Sequence, residues 1–322
     1  MKSITGATVA SAILLAGAGS VAAQDISIGA IYMDAQGYYA GVRKGIQDAA
    51  SEAGQNLEII ETNAQGDVAK ESSFIDSLIA AGVDAIITSP VSADGSYRSI
   101  RRAHDAGIPV ICYNTCLNDA DMQEFVSAYA VGDPYEFGHK LGMAAAEHFK
   151  AEGVTAPKIA VLNCEFVEVC VTRREGFEAA LTEAGLTYEI VANQEGAILD
   201  NAISVASTIL TGNPELDAIF GEAGGATLGA ARAIRAQGRV GDVVVFGGDM
   251  TTEIAQELEQ YDVIKAVVDI SGQGMGRLAF QQAVLAVEGN APDEILVPYD
   301  VDLYATAEDG AAWLEAHPDG IP

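Results

Sequence analysis

The sequence predicts an α/β protein made of two doubly wound, parallel-sheet lobes joined by a three-segment hinge. Three observations predict it. Short apolar runs alternate with amphipathic helical stretches almost without interruption, which implies repeated βα units and a parallel sheet covered on both faces. A glycine stands just past many of the helical stretches, where a left-handed C-terminal residue is needed. The strands are also too many for one open sheet, and they overshoot an eight-stranded barrel.

The elements follow in order. Ile26–Tyr32 reads as a strand and Tyr39–Ala53 as a helix ending at Gly54. Leu57–Glu61 is a strand, Val68–Ala81 a helix ending at Gly82, and Ala85–Thr88 a strand. Tyr97–Ala106 is a helix ending at Gly107, before the strand Pro109–Tyr113. A second series opens with a strand at Phe125–Tyr129 and a helix at Tyr135–Ala151, then a strand at Lys158–Asn163 and a helix at Arg174–Ala184. Tyr188–Val191, Ala218–Phe220, Val243–Phe246 and Ile264–Val268 are strands, separated by helices at Asn201–Leu210, Ala226–Gln237 and Thr252–Gln260. The helix Gly274–Val287 and a last strand, Leu296–Leu303, complete the chain.

Met1 and Lys2, the apolar stretch Ile4–Val21 and the small residues Val21-Ala22-Ala23 read as a secretory signal, residues 1–23. The exported chain of about 300 residues then has room for two lobes. The expected division is 24–129 plus 271–298 for the first lobe and 130–270 plus 299–322 for the second. The chain should cross between them near Ala128–Val131, Asp269–Ser271 and Pro298–Asp300.

Lys and Arg total 17 against 46 Asp and Glu, a net charge of −29. That argues against nucleic acid and anionic membranes as partners. The acidic residues are spread along the chain, and no EF-hand calcium loop occurs. The four cysteines form two close pairs, Cys112/Cys116 and Cys164/Cys170. Of the three possible connectivities, the local one is preferred, because each pair sits in a loop after a strand and export provides an oxidising compartment. The spacings do not suit zinc, and the four histidines are scattered, so no metal is expected.

In such sheets ligands bind beyond the carboxyl ends of the strands. The residues there are Gln36-Gly37-Tyr38-Tyr39, Ser89-Pro90, Asn114-Thr115, Glu165 to Arg174, Glu222 to Gly225, Asp249 and Asp269. Amides, hydroxyls, a few charges and two adjacent tyrosines suit the hydroxyls and C–H faces of a carbohydrate. Arg173 near a helix start carries a mild electrostatic penalty that favours a functional role. Asp249 has a capping alternative for the helix at Thr252, and the glycines after Glu222 read as close-approach backbone. No G-x-G-x-x-G, G-x-S-x-G or H-E-x-x-H motif is present, so no cofactor and no catalytic site is expected.

The ordered set Ile28-Gly29-Ala30, Tyr38-Tyr39, Ile86-Ile87-Thr88-Ser89-Pro90, Gly107-Ile108-Pro109-Val110, Arg173-Arg174-Glu175-Gly176-Phe177, Ala218-Ile219-Phe220 and Phe246-Gly247-Gly248-Asp249 resembles the type I periplasmic sugar-binding proteins of ABC importers, the ribose-binding kind in particular. The resemblance implies ligand-binding roles for Gln36, Tyr38, Tyr39, Ser89, Asn114, Thr115, Arg173, Glu222, Asp249 and Asp269. It departs from the family at Asn114-Thr115, where an Asp-Arg pair is common, and at Ala223, where an Asn is usual. Those departures point away from ribose itself. The expectation is a monomeric, periplasmic, non-enzymatic binding protein that captures a small neutral sugar or polyol by hinge closure and delivers it to a membrane permease. A periplasmic sensory module for a sugar or furanone-type signal, feeding a receptor or kinase, is the alternative.

Overall fold

The protein is described by a computed structural model covering residues 26–35, 37–53 and 57–322. The signal segment and Gln36 lie outside the described residues. The chain runs β1 (Ile26–Tyr32), α1 (Tyr38–Ala53), β2 (Leu57–Asn63), α2 (Val68–Ala81), β3 (Ala85–Thr88), α3 (Tyr97–Asp105), β4 (Val110–Tyr113), α4 (Asp119–Phe125) and β5 (Ala128–Gly132). It continues through α5 (Pro134–Glu152), β6 (Lys158–Asn163), α6 (Glu168–Glu183), β7 (Glu189–Glu195), α7 (Leu199–Gly212), β8 (Ala218–Gly221), α8 (Gly224–Ala236) and β9 (Val244–Gly248). The remainder is α9 (Thr252–Gln260), β10 (Ile264–Asp269), α10 (Gly272–Val287), β11 (Leu296–Tyr299), β12 (Asp302–Tyr304) and α11 (Ala307–Ala316).

Two six-stranded sheets result, in the orders β11-β5-β4-β3-β1-β2 and β12-β10-β9-β8-β6-β7. Every pairing is parallel except β10 with β12, an antiparallel edge. The central strands β1, β3, β4 and β8 are buried almost throughout, as strands covered by helices on both faces must be. In the first lobe α1 packs on α10 and α2 on α3; in the second α5 packs on α6, α7 on α8 and α9 on α11. One apolar core joins Val42, Ile46, Met275, Phe137, Phe149 and Phe177. Two further cores lie under the outer helices, around Ile234, Leu258 and Trp313 and around Ile75, Ile100 and Phe125.

The chain passes between the sheets at Gly132–Pro134, Asp269–Gly272 and Tyr299–Asp302. The first passage therefore follows β5 rather than falling inside 128–131. The last residues also return to the first lobe, where the Pro322 carbonyl accepts the Gln273 N–H at 3.0 Å.

Other expectations change too. Residues 119–125 form a helix, so the strand expected from Phe125 begins at Ala128; Asp119 and Asp121 favour the N-terminal turn, and Met122 and Phe125 bury one face. The expected strand Leu296–Leu303 divides at Asp300-Val301 between the two sheets. Helix α11 opens on a capping box, Thr306 with Asp309. Helix α6 begins at Glu168, six residues before the expected start, so Arg173 lies in its second turn and escapes the helix-start penalty.

Candidate functional site

Strands β4 and β9 each release the chain through a residue that is left-handed. Asn114 has φ 60° and Asp249 φ 59°, a conformation that Asn and Asp tolerate better than most side chains. Both stand first after their strand, and both strands are third in their sheets.

In the first lobe, Tyr38 and Tyr39 open α1 and meet edge to face at 5.4 Å. The Tyr39 hydroxyl accepts Asn114 Nδ2 at 3.2 Å. Burial, opposed by Ser89 and Asn114, pushes the Tyr39 phenol up. Ser89 and Thr115 share a hydrogen bond of 2.8 Å, and Thr115 donates to the Pro90 carbonyl at 2.8 Å. The Cys112–Cys116 disulfide encloses Asn114 and Thr115. The Tyr38 hydroxyl is buried and has no hydrogen-bond partner among the described residues. Its phenol lies well above the usual range, through burial first and then Tyr39 and Asp249, with Arg173 opposing. The hydroxyl thus senses charges of the opposite lobe.

In the second lobe, Arg173 is 7% exposed. Its guanidinium lies 3.9 Å over the Phe137 ring, and NH1 donates to the Glu222 main-chain oxygen at 2.7 Å. Its Nε is buried without a partner, and among the described residues no carboxylate lies within ion-pair distance of it. Helices α5 and α6 approach closely here: a Cβ on Gly138 would strike the Arg173 carbonyl, and one on Gly176 the Tyr135 carbonyl.

Three carboxyls complete the wall. Asp249 Oδ2 accepts the Gly224 N–H at 2.9 Å and so supplies an anion to the start of α8, whose own N-cap residue, Ala223, has none. The cap of α9 is Thr251 instead. Glu222 is fully buried, accepts the Cys164 N–H at 2.9 Å, and is pushed up to about 7 by burial, with Glu165 adding. Asp269 accepts the Met250 N–H at 2.9 Å and is pushed up to about 7 by burial, with Asp249 and Asp302 adding. Glycine at 225 serves close approach, since a Cβ there would meet the Ala197 carbonyl. Cys164, Cys170 and Glu222 lie together, but the cysteines are disulfide-bonded and offer no thiolate.

The structure therefore brings Tyr38, Tyr39, Ser89, Asn114 and Thr115 together on one lobe and Arg173, Glu222 and Asp249 on the other, with Asp269 at the passage between them. Two participants were not anticipated. Tyr129, on β5, donates to the Asn114 carbonyl at 2.8 Å, and Phe137 underlies Arg173. The sequence signal for Tyr129 is only its place near a strand end; for Phe137 there is none beyond helical spacing.

Residues 28–291 match a family model described as a periplasmic binding protein domain. The ABC transporter periplasmic-binding protein YphF of Escherichia coli K12 is 56% identical over 301 residues, 94% of this chain and 92% of its own. The ribose import binding protein of the same organism is 26% identical over 83% of this chain and 85% of its own. A solved galactofuranose binding protein superposes with a TM-score of 0.82 at 19% identity, covering 92% of this chain and 99% of its own. With the two-lobed fold, the matching family model and a relative 56% identical over nearly the whole chain, the chain belongs to the periplasmic binding protein family.

Proposed function

We propose that this protein is the solute-binding component of an ABC importer, and that it holds a small neutral sugar or sugar alcohol between its lobes. One observation carries this reading. The Tyr38 hydroxyl of one lobe and the Arg173 Nε of the other are both buried without partners among the described residues; Tyr38 opens α1 and Arg173 lies in the second turn of α6. Buried polar groups in native proteins are ordinarily hydrogen-bonded, so a polar ligand accounts for both. The relatives support the same class: one is named for ribose import, another for galactofuranose.

Charge narrows the ligand. Arg173 and Asp249 bring one charge of each sign to the second lobe's side of the cleft, while Glu222 and Asp269 sit where burial favours the neutral acid. An added anion would meet the Asp249 carboxylate as well as the arginine, and burying it against a like charge is expensive. Amide, hydroxyl and tyrosine groups accept hydroxyls of either stereochemistry. A neutral polyhydroxylated ligand of about four to six carbons fits.

Closure of the lobes around this ligand shifts the population to the closed shape, which the permease reads. The protein acts in the periplasm as a monomer after loss of residues 1–23, without nucleic acid and without catalysing a reaction. A thermal-shift panel tests the reading: neutral sugars and polyols should raise the melting temperature at saturation. Stabilisation by sugar acids or phosphates alone would contradict it.

A further inference from the structure

The ends of β6 and β8 and the start of α6 are tied into one closed ring. Glu222 Oε2 accepts the Cys164 N–H at 2.9 Å. The Cys164–Cys170 disulfide leads from the end of β6 into the first turn of α6. Cys170 and Arg173 are three apart on that helix and so share a face. Arg173 NH1 closes the ring by donating to the Glu222 main-chain oxygen at 2.7 Å. All four residues are buried. Glu222 itself has no exposed surface; one carboxyl oxygen is engaged by the Cys164 N–H, and the other is buried with no partner among the described residues.

We propose that Glu222 and the Cys164–Cys170 disulfide are positioning residues for Arg173, which set its guanidinium before a ligand arrives. This rests on the reading of Arg173 as a ligand contact. The physical reason lies in how the guanidinium is held. A long, rotamer-rich side chain costs entropy to immobilise, and a ligand that meets it already fixed is spared that cost. A carboxylate paired directly with Arg173 would also immobilise it, but would compete with ligand hydroxyls for its charge-assisted donors. A main-chain carbonyl, the face of Phe137 and a covalent link through Cys170 fix the group while leaving donors unspent.

The test is a double-mutant cycle read by calorimetry. The titrant is whichever of D-ribose, D-allose, L-arabinose, D-galactose and myo-inositol most raises the wild-type melting temperature. Arg173→Ala should weaken binding at least ~30-fold, the low end for truncating a buried charge-assisted donor. Cys164→Ser with Cys170→Ser should weaken it about tenfold, within the coupling range of one network. Combined with Arg173→Ala, the serine pair should add almost nothing, because its effect runs through the arginine. Additive losses, or a serine pair that binds like wild type, would overturn the ring while leaving the cleft reading intact. An unaffected Arg173→Ala protein, or silence across the panel, would overturn the cleft reading and the proposal with it. Should the serine pair not fold, Glu222 serves: Glu222→Gln keeps an acceptor for the Cys164 N–H and should lose less affinity than Glu222→Ala, which loses that link as well, and equal losses would overturn the ring. Without any sugar, hydrogen exchange at the Cys164 amide should be slow in wild type and Glu222→Gln and fast in Glu222→Ala. Equal protection in all three would remove the Glu222 link.

Discussion

Asn114 and Asp249 are counterparts: each is the first residue after the third strand of its sheet, each is left-handed at φ 60° and 59°, and each engages its short polar side chain in a hydrogen bond to the start of a helix of its own lobe. Asn114 Nδ2 reaches Tyr39, and Asp249 Oδ2 reaches Gly224. Strain of this kind persists where the surroundings over-determine it, and it clusters at ligand clamps.

Asn114→Gly should separate stability from binding. Glycine takes φ 60° without steric cost, so the melting temperature should hold or rise slightly. The amide that reaches Tyr39 is lost, so affinity for a neutral sugar should fall roughly tenfold. Asn114→Ala keeps the strain and should cost ~1 kcal/mol of stability as well. Paired thermal melts and calorimetry separate the two effects; a Gly variant binding like wild type would remove Asn114 from the site.

The pH dependence has a definite sign. Glu222 and Asp269 are raised from 4.5 and 3.8 to about 7, chiefly by burial, and buried Glu71 also moves up. Each binds its proton in the folded state at pH values where the unfolded chain has released it. Stability should therefore fall as pH rises from about 4 to about 7, by ~3 kcal/mol for Glu222 alone. Glu222→Gln should flatten that part of the curve. Chemical unfolding at pH 5 and pH 8 checks it; higher stability at pH 8 in this protein, with no change of slope in the variant, would contradict the assignment.

Both disulfides close short loops, of separation 4 and 6. The chain-entropy relation gives about 2 kcal/mol for a loop that small. Cys112→Ser with Cys116→Ser should lower unfolding free energy by about that amount, and intact-mass analysis without reductant should find no alkylatable thiol in wild type. A peptide map linking Cys112 to Cys164 would contradict the pairing, since such a bond would staple the lobes.

Adding a methyl at Gly138 forces α5 away from the Arg173 carbonyl. Gly138→Ala should cost ~3 kcal/mol or more, as overpacking against main chain leaves little room to relax. A denaturant midpoint equal to wild type would show that the two helices are less closely packed there.

Much of the fold was legible because βα alternation is periodic and its helices end on glycine; Gly82, for instance, is left-handed at φ 69° and caps α2. Short or split elements were not. Helix α4 has seven residues, too few for its period to outweigh the apolar run that follows. The division of residues 296–304 between two sheets depends on partners far away in the chain, which no local pattern records. Of the site, the strand-end polar residues were visible by position and by family resemblance. The expected start of α6 fell late because its N-cap, Val167, offers no capping side chain and the β-branched Val169 and Val171 weaken the helical signal of its first turn, so Arg173 seemed to sit at a helix terminus. What holds Arg173, namely the Phe137 ring and the Glu222 carbonyl, is invisible to sequence because both contacts are long-range and one is main chain.

The central claim is that one neutral ligand bridges both lobes. The most direct measurement is calorimetric titration of wild type, Tyr38→Phe and Arg173→Ala with the neutral sugar or polyol that stabilises wild type most. Tyr38→Phe removes only a buried hydroxyl on the first lobe, and Arg173→Ala only the cation on the second. Both should bind more weakly, by roughly tenfold for the hydroxyl and at least ~30-fold for the arginine, with unfolding transitions still cooperative. Loss confined to one lobe's variant, with the other titrating like wild type, would contradict a ligand held between them.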